Sequence, residues 1–189
     1  MGTMAVRLFA LLAAFSAAFM VTSTAHAFSR GVAFHGCDGC HGSGEQQVML
    51  MPLDDIEVGT SVTMRLRVTG LEGSELGFFV DTELGSIAPG SGAKRNGDGI
   101  THDGPPRSSG GSIELEFEWT PVRGAERISV STLDADGDNR SRNDGGAYDT
   151  FDFVAGCEGQ TYYLDQDGDD FGGERERIFC AGEPGDGYA

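Results

Sequence analysis

The sequence predicts an all-β protein, built as an antiparallel β-sandwich. Residues 62–69 and 113–119 alternate apolar and polar side chains, a pattern that places one face of a strand in a core and the other in water. No segment keeps a helical period over three turns, and 30 glycines supply turns between short strands. Hydrophobic residues make up 39% of the chain, which argues against general disorder.

The strands are expected, in chain order, at residues 48–51, 62–69, 76–80, 113–119, 128–130 and 151–154. Stretches rich in Gly, Pro and Asp at residues 85–99, 104–111 and 134–146 predict the turns between them. The glutamates within residues 113–119 are expected on the solvated face of their strand.

Residues 1–27 have the composition of an export signal. Arg7 precedes an apolar run over residues 8–20, and Ala25-His26-Ala27 offers a signal-peptidase site, with cleavage expected after Ala27. The alternative, a transmembrane anchor, needs about 20 apolar residues. We therefore expect a periplasmic or extracellular protein with no membrane span, in a compartment where cysteines can pair.

The chain is strongly acidic, with 13 basic and 30 acidic residues and a formal net charge of −17. Arg7 is the only charged residue within residues 1–27, so removing this segment leaves 12 basic and 30 acidic residues and a formal net charge of −18. Phosphate binding needs clustered Lys and Arg. The charge therefore argues against nucleic acid and against anionic membrane surfaces as partners.

The sharpest motif is Cys37-Asp38-Gly39-Cys40-His41, a C-x-x-C-H. In c-type heme attachment, two such thiols form thioethers with the heme and the adjacent histidine ligates the iron. Three other interpretations remain open for Cys37 and Cys40: a plain disulfide, a redox-active pair, and half of a zinc site. We expect covalent heme c, with His41 as the proximal ligand.

The sixth iron ligand is predicted to be His102, which lies in a Gly-rich segment that we expect to fold over the heme. His35 lies too close to the attachment motif to reach the opposite heme face. Met51 and Met64 fall in apolar strand patterns, where core packing is the better interpretation. An open sixth position is the remaining alternative.

Two acidic segments carry aspartate at alternate positions, as calcium loops do, because calcium takes 6–8 oxygen ligands. The predicted ligands are Asp134, Asp136 and Asp138 in the first segment, and Asp165, Asp167, Asp169 and Glu176 in the second. No amphipathic helices flank either segment, so a true EF-hand is not expected. Solvated acidic turns are the alternative for both.

Cys157 and Cys180 enclose the second acidic segment and are expected to form a disulfide. Such a bridge would stabilise a segment with little core of its own by about 3 kcal/mol. Residues 156–189 therefore look like a small acidic module that follows the sandwich.

Residues 33–154 resemble the choice-of-anchor V domain, a reeler-like, immunoglobulin-like β-sandwich of exported bacterial proteins. The resemblance lies in residues 37–44 (CDGCHGSG), residues 99–102 (GITH), residues 117–121 (FEWTP) and the Asp136-Gly137-Asp138 stretch. It implies an exported sandwich with a cytochrome-like heme motif, and it implies no established enzyme activity.

The tail is similar to the metal-binding repeats of bacterial surface proteins, on the basis of Cys157, residues 162–169 (YYLDQDGD) and Cys180. Such repeats usually continue further, so a truncated or reduced tail is expected.

Two functions follow as hypotheses. The leading one is a non-enzymatic, exported heme protein that transfers single electrons to an unidentified redox partner. The alternative is a heme-free adhesion or scaffold module, stabilised by calcium and by Cys37–Cys40 and Cys157–Cys180 disulfides.

Overall fold

The computed structural model describes residues 41–138, 143–166, 173 and 175–189. The described chain is all-β, and its strands form two facing sheets with a smaller hairpin after them. This arrangement confirms the predicted antiparallel β-sandwich. Within the described residues, no helix has the length and hydropathy needed to cross a membrane.

The strands are β1 (Gly42–Ser43), β2 (Gln47–Pro52), β3 (Val62–Thr69), β4 (Glu75–Thr82), β5 (Ser86–Ala88), β6 (Ala93–Asn96), β7 (Gly99–His102), β8 (Ser112–Thr120), β9 (Gly124–Ala135), β10 (Gly145–Ala155), β11 (Gly159–Tyr163) and β12 (Glu176–Cys180).

The larger sheet has six strands in the order β1-β10-β9-β4-β7-β6, and the smaller has four in the order β2-β3-β8-β5. Strand β1 runs parallel to β10. The other recorded strand pairs are antiparallel. The short parallel pairing places His41, just before β1, at one edge of the larger sheet.

The hydrophobic core lies between the two sheets and is supplied by alternate residues of each strand. Met64 and Leu66 of β3, Phe78 and Val80 of β4, and Trp119 of β8 are all at most 1% exposed. Burying a large apolar side chain stabilises the fold by about 1.5–3 kcal/mol.

The solvent face of the smaller sheet carries a row of cross-strand charge pairs. Glu116 lies opposite Arg65 and Glu114 opposite Arg67, with N–O distances of 2.7 and 3.5 Å. Glu118 accepts a hydrogen bond from Thr63. Exposed pairs of this kind are screened by solvent and contribute little to stability. Glu114 and Glu116 are exposed, so the glutamate row is a solvated face, as predicted.

Two features differ from the sequence expectation. The predicted turn over residues 85–99 contains β5 and β6, which are short strands that form by pairing with β8 and β7. Strand β9 is far longer than residues 128–130 because polar residues at both its ends also join the ladder. In both cases pairing with neighbours outweighs local propensity.

The tail hairpin of β11 and β12 is held by the predicted Cys157–Cys180 disulfide, which the structure confirms. Strand β12 also packs on the larger sheet. Arg177 forms an ion pair with Glu83, and its Nε lies 3.8 Å from Oδ1 of Asp152. Within the described residues, the tail is therefore tied to the sandwich by side chains as well as by its connection to β10.

Candidate functional site

The histidine of the C-x-x-C-H motif is positioned by the short parallel pairing of β1 with β10. Gly42 lies opposite Gly145, and Ser43 opposite Gly146. The amide of Gly44 donates to the carbonyl of Gly146 at 2.7 Å. His41 precedes this pairing by one residue, so its position is set by the start of β10.

His41 faces a buried carboxylate. Its Nδ1 lies 3.3 Å from Oδ2 of Asp144, and the two side chains are 14% and 2% exposed. The contact lacks the alignment of a hydrogen bond, and Nδ1 has no hydrogen-bond partner among the described residues. Buried ring nitrogens normally have a partner, and Asp144 is the acceptor that a small rotation of the ring would reach.

Asp144 is held at the end of the acidic loop before β10. Its Oδ1 accepts a long hydrogen bond from the amide of Asp136 at 3.4 Å. Burial raises the pKa of Asp144, while the Asp136 amide and His41 oppose that rise and the charges of Asp136 and Asp138 add to it. Asn143, just before it, has a φ of 68°, a left-handed conformation that Asn tolerates better than most residues.

A polar cleft of about 330 Å³ adjoins this pair. Glu45, Glu72, Asp134 and Asp144 supply most of its charge. At its floor, Nε2 of Gln46 donates to the carbonyl of Gly145 at 2.9 Å and to Oγ1 of Thr132 at 3.2 Å. Gln46 thereby fastens the chain after β1 to the start of β10.

Asp134, Asp136 and Asp138 do not converge as the predicted calcium ligands would. Both carboxylate oxygens of Asp134 accept amide hydrogen bonds, from Glu72 at 2.8 Å and from Gly73 at 2.9 Å. Oδ1 of Asp136 accepts from the amide of Asp138 at 2.9 Å. In the part of the chain that the structure describes, no group of three or more His, Cys, Asp or Glu side chains could hold a metal ion.

His102 lies in the interior of the sandwich and not beside His41. It is 1% exposed, its Nδ1 accepts a hydrogen bond from the amide of Phe78 at 3.3 Å, and its ring meets that of Phe78 edge-on. Its strand, β7, is separated from β1 by β10, β9 and β4. Strands lie about 4.8 Å apart, so the lateral separation is on the order of 19 Å.

The structure does not bring the two predicted iron ligands together, because strand order separates His41, just before β1, from His102 in β7. The structure instead gives His102 a packing position and a backbone hydrogen bond.

The remaining predicted site residues are only partly covered by the structure. Asp165 follows the end of β11 and Glu176 begins β12, so both lie at the end of the tail hairpin where the chain connects the two strands. Four others lie outside the described residues: Cys37, Cys40, Asp167 and Asp169.

Sequence reasoning missed Asp144, Asn143 and Gln46. The segment that contains Asp144 has the composition of a turn, and nothing local indicates that it meets His41. The link is the pairing of Gly42 with Gly145, which joins residues about one hundred positions apart. Only a prediction of strand pairing would have found it.

No protein-family model matches the chain. No curated protein matches it either. Among solved structures, it is similar to the ASH / PapD-like domain of human CEP192 (PapD-like domain 7), with 8% identity, 57% of this chain and 84% of that chain covered, and a TM-score of 0.34. A likeness at this level carries no functional argument.

Proposed function

We propose that this chain is an exported c-type heme protein that carries single electrons, built on a reeler-like sandwich of the choice-of-anchor V kind. The observation that carries the proposal is the contact between His41 and Asp144. A metal-ligating histidine usually directs its second ring nitrogen to a carboxylate, carbonyl or water. With Nδ1 of His41 at Asp144, Nε2 is the ring nitrogen that remains for iron.

The donor set fits a c-type heme. Cys37 and Cys40 would hold the porphyrin through thioethers, and His41 would ligate the iron. When bound, the heme supplies one-electron chemistry. The chain's own part is to hold His41 in a fixed orientation at the edge of the larger sheet, through β1 and Asp144. The sixth position is left unassigned.

Export supports the same function, since thioether attachment of heme takes place outside the cytoplasm and residues 1–27 have the pattern of an export signal. The acidic charge of the chain suits a partner with a basic surface, because complementary charge steers association. We propose electron transfer with such a partner and not a catalytic activity of its own.

The deciding experiment is expression of the full chain together with heme-maturation machinery. A Soret band, a pyridine hemochrome spectrum typical of thioether-bound heme and a mass gain of one heme are expected. The matched control is Cys37→Ser with Cys40→Ser, which should lose all three signals. A wild-type protein without covalent heme overturns the proposal.

A heme-free scaffold is the second candidate, favoured by two observations on the tail. The Cys157–Cys180 disulfide and the Arg177 ion pairs make the tail a fixed part of the surface. In this alternative Cys37 and Cys40 form a second disulfide, and the segment between β11 and β12 binds calcium through Asp165, Asp167, Asp169 and Glu176.

Calcium titration tests this alternative independently of heme. The thermal midpoint of the wild-type protein should rise with calcium, and Asp167→Ala should reduce that rise, whereas Glu114→Ala on the far sheet should not. A wild-type midpoint that does not respond to calcium rules out the tail site.

A further inference from the structure

Several independent features of the fold hold the side chains of His41 and Asp144 next to each other. The pairing of Gly42 with Gly145 fixes the two backbones one residue away from each side chain. Gln46 ties the following chain to the carbonyl of Gly145. The left-handed turn at Asn143 then directs the chain into β10 immediately after Asp144.

Asp144 is also buried, with a side chain only 2% exposed. A buried carboxylate is costly unless it is paired or hydrogen-bonded. Oδ1 of Asp144 accepts a long hydrogen bond from the Asp136 amide, at 3.4 Å. Nδ1 of His41 lies 3.3 Å from the other oxygen, Oδ2.

We propose that Asp144 is the positioning residue of His41 and holds the reduction potential of its iron low. This inference rests on the proposed heme. After a small rotation of the ring, Asp144 would accept a hydrogen bond from Nδ1–H of His41, which fixes the tautomer with the lone pair on Nε2 and sets the plane of the ring. The negative charge makes the imidazole a stronger donor to iron.

The consequence for the iron follows from electrostatics. A stronger donor and a nearby buried negative charge stabilise the ferric state, which carries one more positive charge than the ferrous state. Burial limits screening by solvent, so the effect should persist at physiological ionic strength. The charge of Asp144 would accordingly lower the midpoint potential relative to that of the same protein without this charge.

The test uses the full chain matured with heme and a spectroelectrochemical titration. Asp144→Asn keeps a side-chain oxygen that can accept from Nδ1 but removes the charge, and should shift the midpoint potential in the positive direction with heme content unchanged. The matched control is Glu45→Gln, which removes one charge from an exposed position on the same cleft and should shift the potential much less.

A second variant keeps the test informative if Asp144→Asn accumulates poorly. Asp144→Glu retains the charge but moves the carboxylate by one methylene, and should give a smaller shift of the same sign, with altered g-values in the ferric electron paramagnetic resonance spectrum. Equal shifts in Asp144→Asn and Glu45→Gln overturn the inference, as do unshifted potentials at Asp144. A wild-type chain without heme overturns the proposed function instead.

Discussion

The indole Nε1 of Trp119 donates a hydrogen bond to Oε1 of Glu126 at 3.0 Å in the interior of the sandwich. Trp119 belongs to the smaller sheet and Glu126 to the larger, and both are at most 1% exposed. Thr82 also donates to Oε1, while Oε2 has no partner among the described residues. A buried carboxylate therefore joins the two sheets near one end of the sandwich.

Replacing Glu126 with Ala should lower the free energy of unfolding by about 3 kcal/mol, because it leaves the Trp119 indole and the Thr82 hydroxyl without their acceptor in a buried place. Urea unfolding followed by Trp119 fluorescence measures the change. Glu114→Ala, on the solvent face, should change stability by about 0.5 kcal/mol or less. Equal effects of the two substitutions would show that the buried contact contributes nothing specific.

Replacing His102 with Ala should destabilise the fold by about 2 kcal/mol, since the amide of Phe78 would lose its acceptor in the core. The heme spectrum of the matured protein should stay unchanged, because strand order separates His102 from His41. Thermal unfolding and the visible spectrum measure the two effects. A variant that changes the low-spin spectrum without a loss of stability would restore His102 as a ligand.

Asp149 provides a pH-dependent prediction. Burial raises the pKa of this carboxyl in the folded protein. Because the pKa of Asp149 is higher in the folded than in the unfolded protein, ionisation of Asp149 destabilises the fold. This destabilisation is present at pH 7 and disappears as the pH falls from the folded-state pKa to below the unfolded-state pKa. Asp149→Asn should therefore raise the thermal midpoint at pH 7.

The gain from Asp149→Asn should shrink as the pH is lowered and vanish near pH 3, below the ordinary aspartate pKa of about 3.9. Thermal scans of wild type and variant at several pH values measure it. Asp152→Asn is the contrasting substitution on the same strand, since Asp152 pairs with Arg127 at 2.7 Å and its removal should lower the midpoint. A constant difference across pH for Asp149→Asn contradicts the argument.

Removing the Cys157–Cys180 bridge by a double substitution to Ser should cost about 3 kcal/mol, because the unfolded chain gains the freedom that closure of the intervening loop had removed. Thermal unfolding of the variant, beside wild type with and without reductant, measures the loss. The variant keeps the ion pairs of Arg177 but has no covalent bond between the two ends of the tail segment, so the tail should loosen before the sandwich unfolds. Resistance of the variant's tail to limited proteolysis at the wild-type level would contradict this order.

Strands with one solvent-exposed face and one buried face could be predicted from the sequence. Strands that are buried on both faces, or that are very short, could not. The alternation in β3 and β8 is visible because polar residues occupy one face of each. Strand β9 is buried over most of its length on both faces, so its period of two disappears and only its apolar centre is recognisable. Strands β5 and β6 are too short to show any period.

The site was predictable only where its residues are close in sequence. The C-x-x-C-H motif identifies His41 as a site residue, whereas Asp144 is brought next to His41 by the pairing of β1 with β10. The separation of His102 from His41 could not be predicted for the same reason, because composition and spacing contain no information on strand order. The alternate aspartates of the first acidic segment predict Asp134 as a metal ligand, whereas in the structure its carboxylate oxygens accept hydrogen bonds from the amides of Glu72 and Gly73.

The disulfide of the tail also determines how tension would pass through the molecule. A pull applied beyond Cys180 crosses the sulfur–sulfur bond directly to Cys157 and enters β10, bypassing residues 158–179. The acidic loop between the two cysteines would thus bear no force while the chain is stretched.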